Sequence, residues 1–528
     1  MVVMVREDGK TIGFQSNGAS WIGSSDSKDN LAAITDAQSN TVGWRYTTPE
    51  DDVELYDANG NLQSITSRSG VAQTLTYSDG TAGPNGGYVV DANGNPTTAI
   101  LPANLILRVA DSYGRQLSFS YNAASNVSRL LDPSGKVYGF SYDGNNNLSS
   151  IIYPDGSTYT YLYENASFVH ALTGTVDENG SRFATYGYDA NTGQATSTQH
   201  AGGVENYSLA YSGSIFSGST TVTDPLGTSR VYNFTSVLGA TLYTGRSQPG
   251  GAGCSASQSA VTYDANGNVS STTDFNGNVT NFTYDTTRNL ETSRTEAYGT
   301  PVARTITTQW HPTFRLPLVV TEPNRTTTYT YDANGNQLTK TVAGGGVSRT
   351  WTYTYNSNGQ VLTSTGPRTD VVELTTYTYD SNGNLSTVAN AFGQTTTMSN
   401  YDGNGRVGLI TAPNGATQAL TYTPRGWVAS SVVTAGSVVQ TTTYTYDNAG
   451  QLSQVTQPDN ATINYTYDSA HRLTNIKDKL GNSVNYTLDL MGNRIAESIN
   501  DPNGALTKQV NRVFDALSRL QQVTGAAQ

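Results

Sequence analysis

The chain has 528 residues, of which 13% are charged, with a formal net charge of −12 and a single cysteine, Cys254. The acidity disfavours nucleic-acid binding, which wants a basic face. One cysteine allows neither an intrachain disulfide nor a multi-cysteine metal site.

Met1–Val5 is apolar but ends at Arg6, too short for a signal-peptide core. Either the chain is not exported by a signal peptide, or its true start lies upstream. Residues 1–52 carry Trp21, Trp44 and the acidic Glu50-Asp51-Asp52, and are expected to form a lead-in or cap. Lys28 to Gln38 is the one modest helical candidate. Ala99 to Val109 is apolar but broken by Pro102, Asn104 and Arg108, so no bilayer-spanning segment is expected.

From Val53 a unit recurs. Tyr56-Asp57-Ala58-Asn59-Gly60-Asn61-Leu62 returns at Tyr263–Val269, Tyr331–Asn336 and Tyr379–Leu385. Tyr121, Tyr142 and Tyr163 stand 21 residues apart, as do Asp447, Asp468 and Asp489. Half-period marks fall between them, such as Asp132-Pro133-Ser134-Gly135 and Asp274-Phe275-Asn276-Gly277. Between marks, residues alternate: Thr443-Tyr444-Thr445-Tyr446 puts tyrosines on one side and threonines on the other. That period of two means strand. Asp-x-Asn-Gly ends each strand, because Asp and Asn bond back to nearby backbone and Gly accepts positive φ.

The pattern predicts an all-β chain, a long repetitive run of antiparallel hairpins with on the order of fifty strands. So long a sheet, without helices to cover it, must curl into a spiral, a tube or a hollow or partly open shell. The repeat occupies 53–528, with less regular stretches near 192–260 and 286–325. Pro249–Gly253 is the best loop candidate, and Trp310-His311-Pro312 marks the second irregular stretch. Phe514–Leu520 is the last copy. No terminal cap is visible, so the chain is expected to be a piece of a longer protein.

The search for chemistry yields no catalytic, cofactor-binding or metal residue, and no cofactor. Asp recurs in turn after turn, whereas an active site needs one special arrangement. Asp264-Ala265-Asn266-Gly267-Asn268 opens like a calcium loop, but Val269 and Phe275 stand where its Gly and Glu belong. His170, His200, His311 and His471 share no metal spacing. Gly403, Gly405 and Gly408 make a Gly-x-Gly-x-x-Gly with no helical pattern behind it, so they read as a turn. Gly9-Lys10-Thr11 lacks the preceding Gly of a phosphate loop, since Met4 stands there. Cys254 has no local cation except Arg246, eight residues back. Asn-x-Ser/Thr triplets such as Asn165-Ala166-Ser167 and Asn281-Phe282-Thr283 are expected by chance in so Asn- and Thr-rich a chain.

The beat Tyr-Asp-x-x-Gly-Asn-Leu at 21 residues resembles the bacterial Rhs (rearrangement hotspot) proteins, which are built of YD repeats. So do Leu107–Arg115, Tyr153-Pro154-Asp155-Gly156, Leu172-Thr173-Gly174 with Asp177–Gly180, and Arg288–Arg294. The resemblance implies a spiral sheet closed into a hollow cocoon around a toxic C-terminal domain that is delivered to another cell. It also implies a core rich in Asp-Pro-x-Gly-Leu that cuts the toxin free. Here Asp132, Asp224 and Asp501 open Asp-Pro-x-Gly segments followed by Lys136, Thr228 and Ala505. No self-cleavage site therefore carries over, and the core and the toxin domain are absent. The expected role is a non-enzymatic shell segment of an Rhs-type polymorphic toxin. Its implied partners are the missing toxin domain, a secretion apparatus and a cell-surface glycan. It would be bacterial, and exported or delivered to a cell surface as part of a larger protein. The alternative is a carbohydrate- or cell-surface-binding YD-repeat module. The sequence leaves open which sheet face would line a cavity.

Overall fold

A computed structural model describes residues 1–6, 11–18, 20–83, 86–91, 93–214 and 217–527. Gly9 and Lys10 lie outside these. Among the described residues there are 48 strands and no helix beyond the 3-10 turn Ala201–Gly203. Hydrogen bonds link the strands into open sheets of 22, 2 and 24 strands, antiparallel in sequence-neighbour hairpins. The expected all-β hairpin run is what the chain forms.

The register explains the odd period. In the hairpin of Leu374–Tyr379 with Leu385–Ala389, Thr378 faces Thr387 but Tyr379 faces Leu385, so Ser386 is an extra residue. The same one-residue bulge lies beside Tyr422, Tyr446 and Tyr467. Half-period hairpins such as those that set Ile476 against Val484 and Val455 against Ile463 are unbulged. Tyr444 faces Val455, which faces Ile463, 19 residues after Tyr444. The next Tyr of the 21-residue repeat, Tyr465, is two places further along that strand and keeps the same face. Without the bulge, every second repeat would turn its tyrosines over.

One face therefore carries Tyr, Val and Ile; the other carries Thr and Ser. Thr354 meets Thr363, and Thr378 meets Thr387, each at 2.7 Å between exposed hydroxyls. Most strand residues are half-buried, as expected of a sheet without a second layer over it.

Lys28 to Gln38 is not helical. Asn30–Thr35 is a strand, paired with Thr41–Thr47. Leu31 is driven inward beside its partner Tyr46, and Asp36 closes a tight turn by accepting the Asn40 amide at 2.8 Å. This burial overrides a weak helical propensity. Leu31 and Tyr46 join Met4, Ile12 and Phe14 in a buried apolar cluster.

The strands fall into two compact units. The first comprises Met1–Gly135, Val237–Ala240 and Ala260–Arg406; the second comprises Lys136–Ser236, Thr241–Ser259 and Val407–Gln528.

Candidate functional site

The repeated turn is the smallest built object. Asp380 Oδ1 accepts the backbone amides of Asn382 and Asn384, both at 2.9 Å, and Oδ2 accepts Asn384 Nδ2 at 3.0 Å. The Gly383 amide closes onto the Asp380 carbonyl at 3.1 Å. Every oxygen of the carboxylate is engaged inside its own turn, which leaves little of it for metal or acid–base work. Hydrogen bonds from Asn278 likewise hold the Asp274 carboxyl below its ordinary value.

The Tyr has a partner outside its turn. Tyr379 donates to the carbonyl of Val361 at 3.0 Å, Tyr401 to Leu385 at 2.6 Å and Tyr467 to Leu452 at 3.0 Å. Leu385 and Leu452 each open the strand that follows the preceding Tyr-Asp turn, and Val361 the strand after the equivalent Tyr355-Asn356 turn. Each repeat is thus pinned to the one before it. Burial of the ring raises the phenol pKa, to about 12 at Tyr331.

Within each unit, turns of the upstream segment meet turns far downstream. In the first unit, Asn289 Nδ2 donates to the Ser25 carbonyl, 264 residues away, at 2.8 Å. Asn404 Nδ2 donates to Asp132 Oδ2, 272 residues away, at 2.8 Å. Gly403 lies so close to the Pro133 carbonyl that any Cβ would collide with it. The Gly-x-Gly-x-x-Gly is a turn, as its sequence context suggested, and Gly403 permits this approach.

In the second unit, the Arg425 guanidinium lies over the Tyr153 ring at 3.7 Å and the Trp427 ring at 4.6 Å. It donates to Glu178 Oε1 at 2.8 Å and to the Asn448 carbonyl at 2.7 Å. Asn179 Nδ2 donates to Asp447 Oδ2, 268 residues away, at 3.0 Å. Three of these contacts lie at offsets of 264, 268 and 272 residues, so together they form a seam between tiers within each unit.

The four histidines do not converge on one site. His170 pairs with Asn147 at 2.6 Å. His311 stacks on Phe314, with centroids 4.9 Å apart. His200 and His471 lie either side of Phe183, at 4.5 and 4.3 Å, and His471 Nε2 meets Asp177 Oδ2 at 2.8 Å across the second unit's seam. Among the described residues no group of three or more His, Cys, Asp or Glu is placed to hold a metal ion. Cys254 is better supplied with charge than its neighbours in sequence imply: the Arg519 guanidinium donates to its Sγ at 3.3 Å from 265 residues away.

Sequence reasoning missed Arg425, Glu178 and Tyr153. Tyr153 and Glu178 lie in stretches marked only by their resemblance to the family, and Arg425 shows a departure from the turn grammar, Arg425-Gly426-Trp427 standing where Asn-Gly-Asn recurs.

Three cavities are notable. Two, of about 520 and 530 Å³, flank Tyr113 in the first unit's seam. Another, of about 290 Å³, lies in the second unit beside Tyr211 and Phe234.

An open, bulged antiparallel sheet whose repeats are pinned by Tyr hydroxyls defines a YD-repeat wall. The Teneurin YD-shell family model matches residues 179–500, more than half of the chain, and the chain belongs to that family. An RHS repeat model matches residues 121–158. The fold is similar to crystal structures of TcdB2–TccC3 with Cdc42, at TM-score 0.57 and 12% identity, and of TcdB2–TccC3 without its hypervariable C-terminal region, at 0.57 and 13%. In both, 92% of this chain and 27% of the other is covered. It is also similar to the Photorhabdus luminescens Tc holotoxin pore, at TM-score 0.52 and 12% identity over 94% of this chain and 29% of the other. The chain thus spans less than a third of the length of these structures. No curated protein sequence matches it. No described helix is long and apolar enough to cross a membrane.

Proposed function

We propose that the chain is a wall segment of an Rhs-type toxin shell that encloses a C-terminal effector and helps deliver it. The carrying observation is the seam: turn meets turn at offsets of 264 and 272 residues in one unit and 268 in the other, the last two between copies of the repeat itself. A repeat that stacks on its own later copies makes a wall, and its carboxylates are spent on holding turns. The role is structural rather than catalytic. On this reading residues 1–52 are the lead-in, 53–528 the wall, and the partners are an effector domain and a bacterial secretion apparatus that exports the larger protein. The Tc toxin complexes of similar fold support it.

Negative-stain images of the purified chain test the proposal. A hollow or C-shaped particle is expected; a compact solid particle overturns it. A second reading, contact with a cell-surface glycan, is favoured by the uncharged cavity beside Tyr211 and Phe234.

A further inference from the structure

The cavity beside Tyr211 is bordered by two glycines that face each other. Gly213 faces Gly218 across one hairpin, and Gly218 faces Phe234 across the next. Directly opposed residues share a face of the sheet, so this row reads Gly-Gly-Phe. Two places along lies the row Tyr211, Thr220 and Tyr232. A Cβ at Gly213 would stand 2.7 Å from the Ser217 carbonyl oxygen, and one at Gly218 would strike the Ser212 carbonyl. Both positions must be glycine because neighbouring backbone fills the place of a Cβ, and beside them lies a notch of about 290 Å³. Glycine inside a strand often marks such a close approach of another backbone.

The walls are rigid aromatics. Tyr211 is 43% exposed, yet its hydroxyl is tied to the Ala195 carbonyl at 2.8 Å, which fixes the ring. Phe234 is held edge-on by Tyr243, with centroids 6.2 Å apart. The rest of the lining is hydroxyl, amide and glycine backbone: Ser219, Thr220, Thr241 and Gln194 contribute, and among the described residues no charged residue does. Aromatic faces suit the C–H face of a pyranose, and hydroxyls and an amide suit its rim. A phosphate, a carboxylate or a cation would find no counter-charge. The volume is at the low end for small-molecule sites, enough for one ring rather than a long chain.

We propose that this notch binds a single ring of a neutral saccharide, stacked against Tyr211 and Phe234. The proposal rests on the glycan-contact reading and gives it an address. The test is calorimetric titration of the full chain with methyl glycosides of glucose, galactose and N-acetylglucosamine, and with a glucuronide as charged control. Saturable binding of at least one neutral glycoside is expected, with none of the glucuronide. Tyr211→Ala should weaken it by about tenfold or more. Thr220→Val, which keeps shape and removes one hydroxyl, should weaken it less, and serves if the Tyr211 variant fails to fold. No binding by any neutral glycoside overturns both the notch and the glycan reading. Binding that neither variant alters, or binding of the glucuronide as tight as that of the neutral glycosides, overturns the notch alone.

Discussion

Each letter of the repeat has a separate physical task. Tyr379 carries its hydroxyl to the Val361 carbonyl, which explains 34 tyrosines against 12 phenylalanines: the ring packs like Phe, but the bond needs the oxygen. Tyr379→Phe should cost about 1 kcal/mol in chemical denaturation, the net value of one such bond. The glycines divide into two kinds. Gly267 has φ +76°, and its nearest neighbour in space, Asp26 Cβ, is 3.8 Å from where a Cβ would stand. Gly267→Val should therefore cost about 1–2 kcal/mol from backbone conformation alone, and an unchanged melting temperature would refute the turn geometry. Gly403 pays no such conformational cost; its substitution is blocked by Pro133 across the seam. Arg425 has a side chain 12% exposed, against 6% for Glu178. Arg425→Ala strands a buried carboxylate and should destabilise the protein by roughly 3–5 kcal/mol, measured by urea unfolding. A loss below about 1 kcal/mol would make Arg425 an ordinary surface residue.

At the scale of the element, the bulge matters more than the residue that occupies it. Thr474 is the extra residue between Asn475, which faces Thr466, and Leu473, which faces Tyr467. Its hydroxyl makes only an exposed bond to the Thr466 carbonyl at 3.1 Å. Thr474→Ala should shift stability by no more than about 0.5 kcal/mol. Deleting Thr474 should lower the melting temperature far more, because the strands downstream would present Ile476 and Tyr486 to the Thr face. Equal melting temperatures for the two variants would show that the register is not held by the bulge. The lead-in shows how element identity can escape a local reading. Lys28 to Gln38 has no Tyr-Asp beat, and only the pairing of Leu31 with Tyr46 makes it a strand.

For the whole molecule, the turn carboxylates set the response to acid. Asp274, Asp478 and Asp515 lie below the ordinary value of 3.8, Asp515 at about 2, each held first by a side-chain hydrogen bond, from Asn278, Asn482 and Arg519 respectively. Groups whose folded pKa is depressed stabilise the fold fully above their unfolded value, and that stability is lost as pH falls through the folded values. Melting temperature should therefore be level through the neutral range and fall between about pH 4 and pH 2. A chain that melts at the same temperature at both ends of that window would contradict the turn assignments.

The 21-residue period, the strands and the turns were legible in the residues because the forces behind them act within a few positions. An Asp reaches amides two and four places on, and Gly alone tolerates the turn's φ without cost. The membership of the YD-repeat family was legible too, from the Tyr-Asp beat itself. The seam was not. Arg425 meets Tyr153 and Glu178, and Arg519 meets Cys254, because small twists summed over a dozen hairpins bring one tier onto another. No single repeat encodes that sum. The same holds for the notch beside Tyr211 and Phe234, whose lining residues border one cavity only once register lays separate strands side by side.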